Sequence, residues 1–179
     1  MRAAILAPIV FFGFTTAVFG QSSGQQAQQG QAGQGFMTTC PMHDSHAAMN
    51  KRGTEAMGFS QTATTHHFLL TENGGAVQVE TNRADDATNR DAIRMHLAHI
   101  ARMFSDGDFD IPMFVHDTVP PGVPEMKRLK EKITYTFVTT PRGARVVIYS
   151  PDKDAVTAIQ KFLRFQITEH RTGDPMSLN

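Results

Sequence analysis

The sequence predicts an α+β fold in which a ββα unit occurs twice and its four strands join in one antiparallel sheet with two helices on one face. Three observations carry this. The order strand, turn, strand, helix runs from Thr65 and again from Ile133. Hairpin-forming residues interrupt both strand pairs, Asn73-Gly74 in the first and Pro141 then Gly143 in the second. In the helical halves, Ala92-Ile93, Leu97 and Gly107-Asp108 recur 66 positions later as Ala158-Ile159, Leu163 and Gly173-Asp174.

The chain opens with what reads as a leader. Arg2 supplies a positive start, Ala3 to Val18 form an apolar run, and Gly20 closes it before Gln21, which predicts a signal peptide over residues 1–20 and a secreted or periplasmic protein. The run is short for a membrane span and is broken by Pro8 and Gly13, and no later stretch is apolar enough to cross a bilayer. Removing Arg2 with the leader leaves 16 of the 17 Lys and Arg against 17 Asp and Glu, a net charge of −1. That balance offers no electrostatic footprint for nucleic acid and no polybasic cluster for anionic lipid.

Residues 21–36 are Gln, Gly, Ser and Ala almost throughout and predict a disordered linker. Residues 37–58 follow as a Met/His/Cys-rich segment containing Cys40, Met42, His43, His46 and Met49, with a short helix expected over Lys51 to Met57. Thiolate, thioether and imidazole are the donors that copper(I) prefers. With one cysteine in the chain, no intrachain disulfide forms, and Cys40 is free to pair outside the chain or to act as a ligand.

The duplicated domain is expected over 59–175. Its first unit has strands Thr65–Thr71 and Ala76–Glu80 and a helix over Asp86–Ser105; its second has strands Ile133–Val138 and Arg145–Tyr149 and a helix over Asp152–His170. A ββα unit cannot bury its apolar face alone, so the two should combine. Pro112, Pro120, Pro121 and Pro124 predict a long, stiff connection with at most one helical turn, at Glu125–Lys130.

Strand alternation puts His66 on the face of Phe68, where Tyr135 and Phe137 stand in the second unit, and puts His67 on the other. Helix one carries an apolar stripe at Ile93, Leu97, Ile100 and Phe104, and His96 lies within it where the second helix has Phe162. His170 continues the matching stripe of helix two. Each of these histidines alone is most simply a core residue whose nitrogens find a hydroxyl or carbonyl. Three facing inward are better placed all at once by a single ion. His116, in the Pro-rich connection, could close such a site, with Asp117 as its partner. His66/His67 and His96/His99 also permit chelating pairs.

Cys40-Pro41-Met42-His43 resembles the opening of small heavy-metal-binding modules attached to bacterial copper and silver exporters, although Thr38 and Asp44 replace the aromatic residue and the proline that flank it there. A larger block resembles a group of small secreted bacterial proteins of unassigned activity that often carry Met/His-rich N-terminal segments. It runs from Met57-Gly58-Phe59 through Thr64-Thr65-His66-His67-Phe68 and Gly107-Asp108-Phe109 to His170-Arg171-Thr172-Gly173-Asp174. That resemblance implies a shared set of His66, His96, His116 and His170. Some members carry a carbamoyltransferase label, but this chain is too short for that enzyme's two domains and has no phosphate-binding loop.

The expectation is a metal-binding protein, for copper or else zinc, that serves a delivery or export partner. Other readings fit the same residues: a haem or small-ligand module with an inward histidine as axial ligand, a secreted scaffold with structural histidines, and, least, a metalloenzyme with three imidazoles and an open position.

Overall fold

A computed structural model describes residues 41–178, with side chains from His46 onward. The expected leader (1–20), the linker (21–36) and Cys40 lie outside the described residues, and Met42 and His43 are described only as helical backbone. The elements are α1 Pro41–Met57, β1 Thr64–Thr71, β2 Gly74–Thr81, α2 Ala87–Asp106, α3 Asp110–His116, α4 Val123–Arg128, a 3₁₀ turn Lys130–Lys132, β3 Thr134–Thr140, β4 Gly143–Tyr149 and α5 Lys153–His170. No helix among the described residues is long and apolar enough to cross a membrane.

The strands form one antiparallel sheet in the order β1-β2-β4-β3. The duplication extends to its register: His66 pairs with Val79 and Phe68 with Val77, while Tyr135 pairs with Ile148 and Phe137 with Val146. Between strands the offset is 69, and between helices it is 66, because the connection from β4 to α5 is shorter than that from β2 to α2. The hairpin contacts repeat as well. Thr81 N donates to Arg142 O, and its counterpart Ser150 N donates to Asn73 O. Asp86 and Asp152 both cap helix N-termini, their carboxylates accepting from Asn89 N at 3.0 Å and from Ala155 N at 3.1 Å.

β2 and β4 lie side by side at the centre, and each helix crosses over: α2 packs chiefly on β3 and β4, α5 on β1 and β2. The core lies between this face and the helices, with Phe68, Val79, Val146 and Ile148 from the sheet meeting Ile93, Leu97, Ile159 and Leu163. Both hairpin turns are two residues long, Glu72-Asn73 and Pro141-Arg142, so the glycines fall one position later than the sequence suggested, on the first residue of β2 and β4. Close approach of the central strands explains them. A Cβ on Gly74 would collide with the carbonyl of Ile148, and one on Gly143 with that of Val79.

Two helices exceed the expectation. α1 begins at Pro41 rather than Lys51, with proline at its first position and good helix formers after it. It docks on α3, burying Met49 and Gly53, and Arg52 Nε donates to Val115 O at 2.9 Å. α3 forms where the prolines predicted a loop. Pro112 sits in its first turn, where backbone N–H groups have no helical acceptor in any case.

Gly143→Ala should lower stability by about 1–3 kcal/mol through overpacking at the central strand pair. The check is a urea titration, in which the midpoint should fall while the slope holds; an unchanged midpoint would mean that β2 and β4 have room to separate.

Candidate histidine-lined cavity

The two halves of the domain differ most where their symmetry makes them comparable. In one half Tyr135, Phe104 and Phe162 form an aromatic cluster, with ring centres 5.8 Å apart for Phe104–Tyr135 and 6.0 Å for Phe104–Phe162. The equivalent positions in the other half are His66, His170 and His96. Helix crossing brings His170 of α5 over His66 of β1, ring centres 5.6 Å apart and planes at 12°. Phe59, buried between α1 and β1, lies 5.9 Å from His66 and 5.6 Å from His96 and ties those two together.

His116 joins from the last residue of α3, its ring 5.0 Å from that of His170. Its partner is Gln166, not the expected Asp117, which is exposed and ends α3 in the left-handed conformation. His116 Nε2 and Gln166 Oε1 are 2.8 Å apart. A carbonyl oxygen can only accept, so Nε2 carries the hydrogen and Nδ1 keeps a free lone pair. That Nδ1 is buried without a partner, as are His66 Nε2 and Gln166 Nε2.

Together these side chains line a cavity of about 70 Å³, with Met57 on the same wall and Phe68, Val79, Leu97 and Phe162 supplying apolar surface. No carboxylate among the described residues lines it. Gln61 Nε2 lies 3.7 Å from the Met57 sulfur and holds it in place.

Burial keeps the imidazoles neutral. Desolvation, with His96 and His67 nearby, pushes His66 down to about 4. Desolvation and then His99 push His96 down to about 4. Desolvation and then His66, His116 and His46 push His170 down to about 3. His116 is also lowered by burial, against the bond to Gln166, which works to raise it. The counterpart Tyr135 is likewise held in its neutral form, its pKa raised by burial.

The remaining candidates fall elsewhere. His67 points to the opposite face, where Nδ1 meets Asp174 Oδ1 at 2.9 Å. Burial disfavours the Asp174 carboxylate, but bonds from Thr172, His67 and the Phe68 N–H outweigh it and hold its pKa low. This contact fastens the C-terminal tail to edge strand β1 and covers an open N–H there. His99 is exposed. Neither expected chelating pair is therefore assembled. Met49 is a core residue of the α1–α3 contact, while His46, on the same helix, reaches the edge of the histidine cluster. Among the described residues no three His, Cys, Asp or Glu side chains are grouped to hold one ion as they stand; closing such a site requires the rings to turn about their side-chain bonds.

Sequence reasoning missed Phe59 and Gln166, while Met57 was counted among the soft donors of the N-terminal segment rather than with the domain's histidines. Gln166 was detectable as a polar residue inside the stripe Phe162, Leu163, Ile167, while Phe59 is brought to the site only by the packing of α1. No family model, curated protein or solved structure matches the chain.

A pH prediction follows from the lowered histidines. Their folded-state values lie below the ordinary 6.5, so the unfolded chain takes up protons first as pH falls. Stability is full above pH 6.5 and is lost from there through about 4, while unperturbed carboxylates titrate mostly below that window. Urea unfolding of metal-free protein at pH 7.5, 6 and 5 should show falling midpoints; constant stability across that range would contradict a buried neutral set.

Proposed function

We propose that this is a secreted or periplasmic metal-binding protein that holds copper at the histidine-lined cavity, with zinc as the less favoured cation. The observation that supports this most is the substitution pattern. One half of a duplicated core keeps three aromatic residues, and the other has His66, His96 and His170 in their places with His116 beside them.

Leaving a buried nitrogen without a partner costs about 1–3 kcal/mol. An ion in the cavity would give partners to both His66 Nε2 and His116 Nδ1, a gain not open to the equally unpartnered Tyr135 hydroxyl on the aromatic side. The donor set also selects the cation class. Imidazole with a nearby thioether suits copper or zinc, and the absence of carboxylates from the lining disfavours calcium and magnesium. Two imidazoles sharing one ion through nitrogens about 2 Å away place their ring centres about 5–6 Å apart. His66–His170 at 5.6 Å and His116–His170 at 5.0 Å lie within that range, and the stacked His66 and His170 rings must turn before their nitrogens aim at one ion.

The haem reading called for an apolar cavity beside His96, and there is one. Its volume of about 70 Å³ suits an ion with a water or two, whereas pockets for organic ligands run to about 300 Å³ or more. The Met/His/Cys segment supplies a second set of soft donors, and a delivery or export protein is the partner such a protein would serve.

The test restores the aromatic set on the histidine side, as His66→Tyr, His96→Phe and His170→Phe combined. Copper(I) titration of the leaderless chain against a competing chelator should show one equivalent fewer for the triple variant than for wild type. Equal copper stoichiometry in the two proteins would leave the histidines as core residues only.

A further inference from the structure

Two outer clefts flank the cavity, and His46 lines both. One, of about 570 Å³, is shared between His46 and His116, with Asp117 and Glu169 on its rim. The other, of about 320 Å³, is shared between His46, His66 and His170. His116 thus faces the cavity on one side and the first cleft on the other, while His66 and His170 do the same for the second cleft. These rings are shared between the cavity and the clefts, and His46 lines both clefts but not the cavity.

The His46 ring is prepared for a ligand. The Asn50 amide, one helical turn on, lies 3.3 Å from Nδ1 and ties that nitrogen. Nε2 is buried and has no partner among the described residues. The helix that carries it is fastened independently, by Arg52 to the Val115 carbonyl and by buried Met49, so the ring is held at the mouth by contacts it does not make itself.

We infer that His46 is the entry ligand of the cavity, taking up copper(I) at the surface and passing it to His170 and His116. This rests on the copper reading above. Transfer is ligand exchange alone: the ion keeps its charge and oxidation state, and one neutral nitrogen leaves as another binds. Such a relay lets the inner histidines load through a donor that stands nearer the surface. It also gives α1 a role that the sequence assigned to a flexible arm, because the helix delivers a donor to the domain.

The experiment measures how fast copper becomes buried. Full leaderless chain receives copper(I) as its bicinchoninate complex at pH 7, and excess bathocuproine disulfonate added at intervals strips whatever is still accessible. His46→Ala should slow the appearance of chase-resistant copper by about tenfold or more, the rate equivalent of a small rise in the transfer barrier. The final resistant equivalent should be unchanged. His46→Met, which keeps a soft donor in place, should recover most of the rate. Wild-type speed in His46→Ala would overturn the entry role and leave the copper site intact. Loss of the resistant equivalent in His46→Ala would make His46 a resident ligand and overturn the relay. Wild-type chain that buries no copper at all would overturn the site as well.

Discussion

The antiparallel pairing of β2 with β4 is the constraint on which the rest of this molecule depends. Each hairpin alone would present an apolar face with half the cover it needs. Joining them through their second strands places the two units around an approximate twofold and sends each helix onto the other unit's hairpin. The exchange is what brings His170, near the end of the second unit, over His66, near the start of the first. Gly74 and Gly143 belong to the same constraint, since any side chain there would push the central strands apart.

Duplication also supplies an internal control. Both halves fold with the same register, the same N-capping aspartates and the same reciprocal turn contacts, so the fold places equal demands on each. Aromatic residues meet those demands in one half with one unpartnered polar atom, the Tyr135 hydroxyl. Histidines at the matching positions in the other half bring in two nitrogens each, and His66 Nε2 is buried without a partner among the described residues. The free lone pair of His116 Nδ1, fixed by Gln166, shows the same departure from what packing alone asks. Burial then keeps the rings uncharged at neutral pH, the state in which imidazole binds a metal.

Much of this was legible in the sequence, for identifiable reasons. Period-two strands, paired turns and the recurrence of Ala92-Ile93, Leu97 and Gly107-Asp108 encode the duplication locally. The inward course of His66, His96 and His170 followed from side-chain periodicity. What the sequence hid was long-range or conditional. Pro112 reads as a helix breaker and is harmless only because it falls in a first turn, so α3 and the seat of His116 were lost to a loop. α1 looked like a tether because its apolar residues are few; Met49 is buried only once the helix packs on α3. The choice of Gln166 over Asp117 as the partner of His116 depends on α5 lying beside α3, which no local pattern encodes.

The central claim is that the imidazoles which replace the aromatic cluster are donors. X-ray absorption at the copper edge on copper(I)-loaded chain comprising residues 21–179 reads this directly. The account predicts a bound equivalent with two or three imidazole nitrogens at about 2 Å, recognisable by ring scattering. A spectrum showing only sulfur at about 2.3 Å would place the metal on cysteine and methionine alone and contradict it.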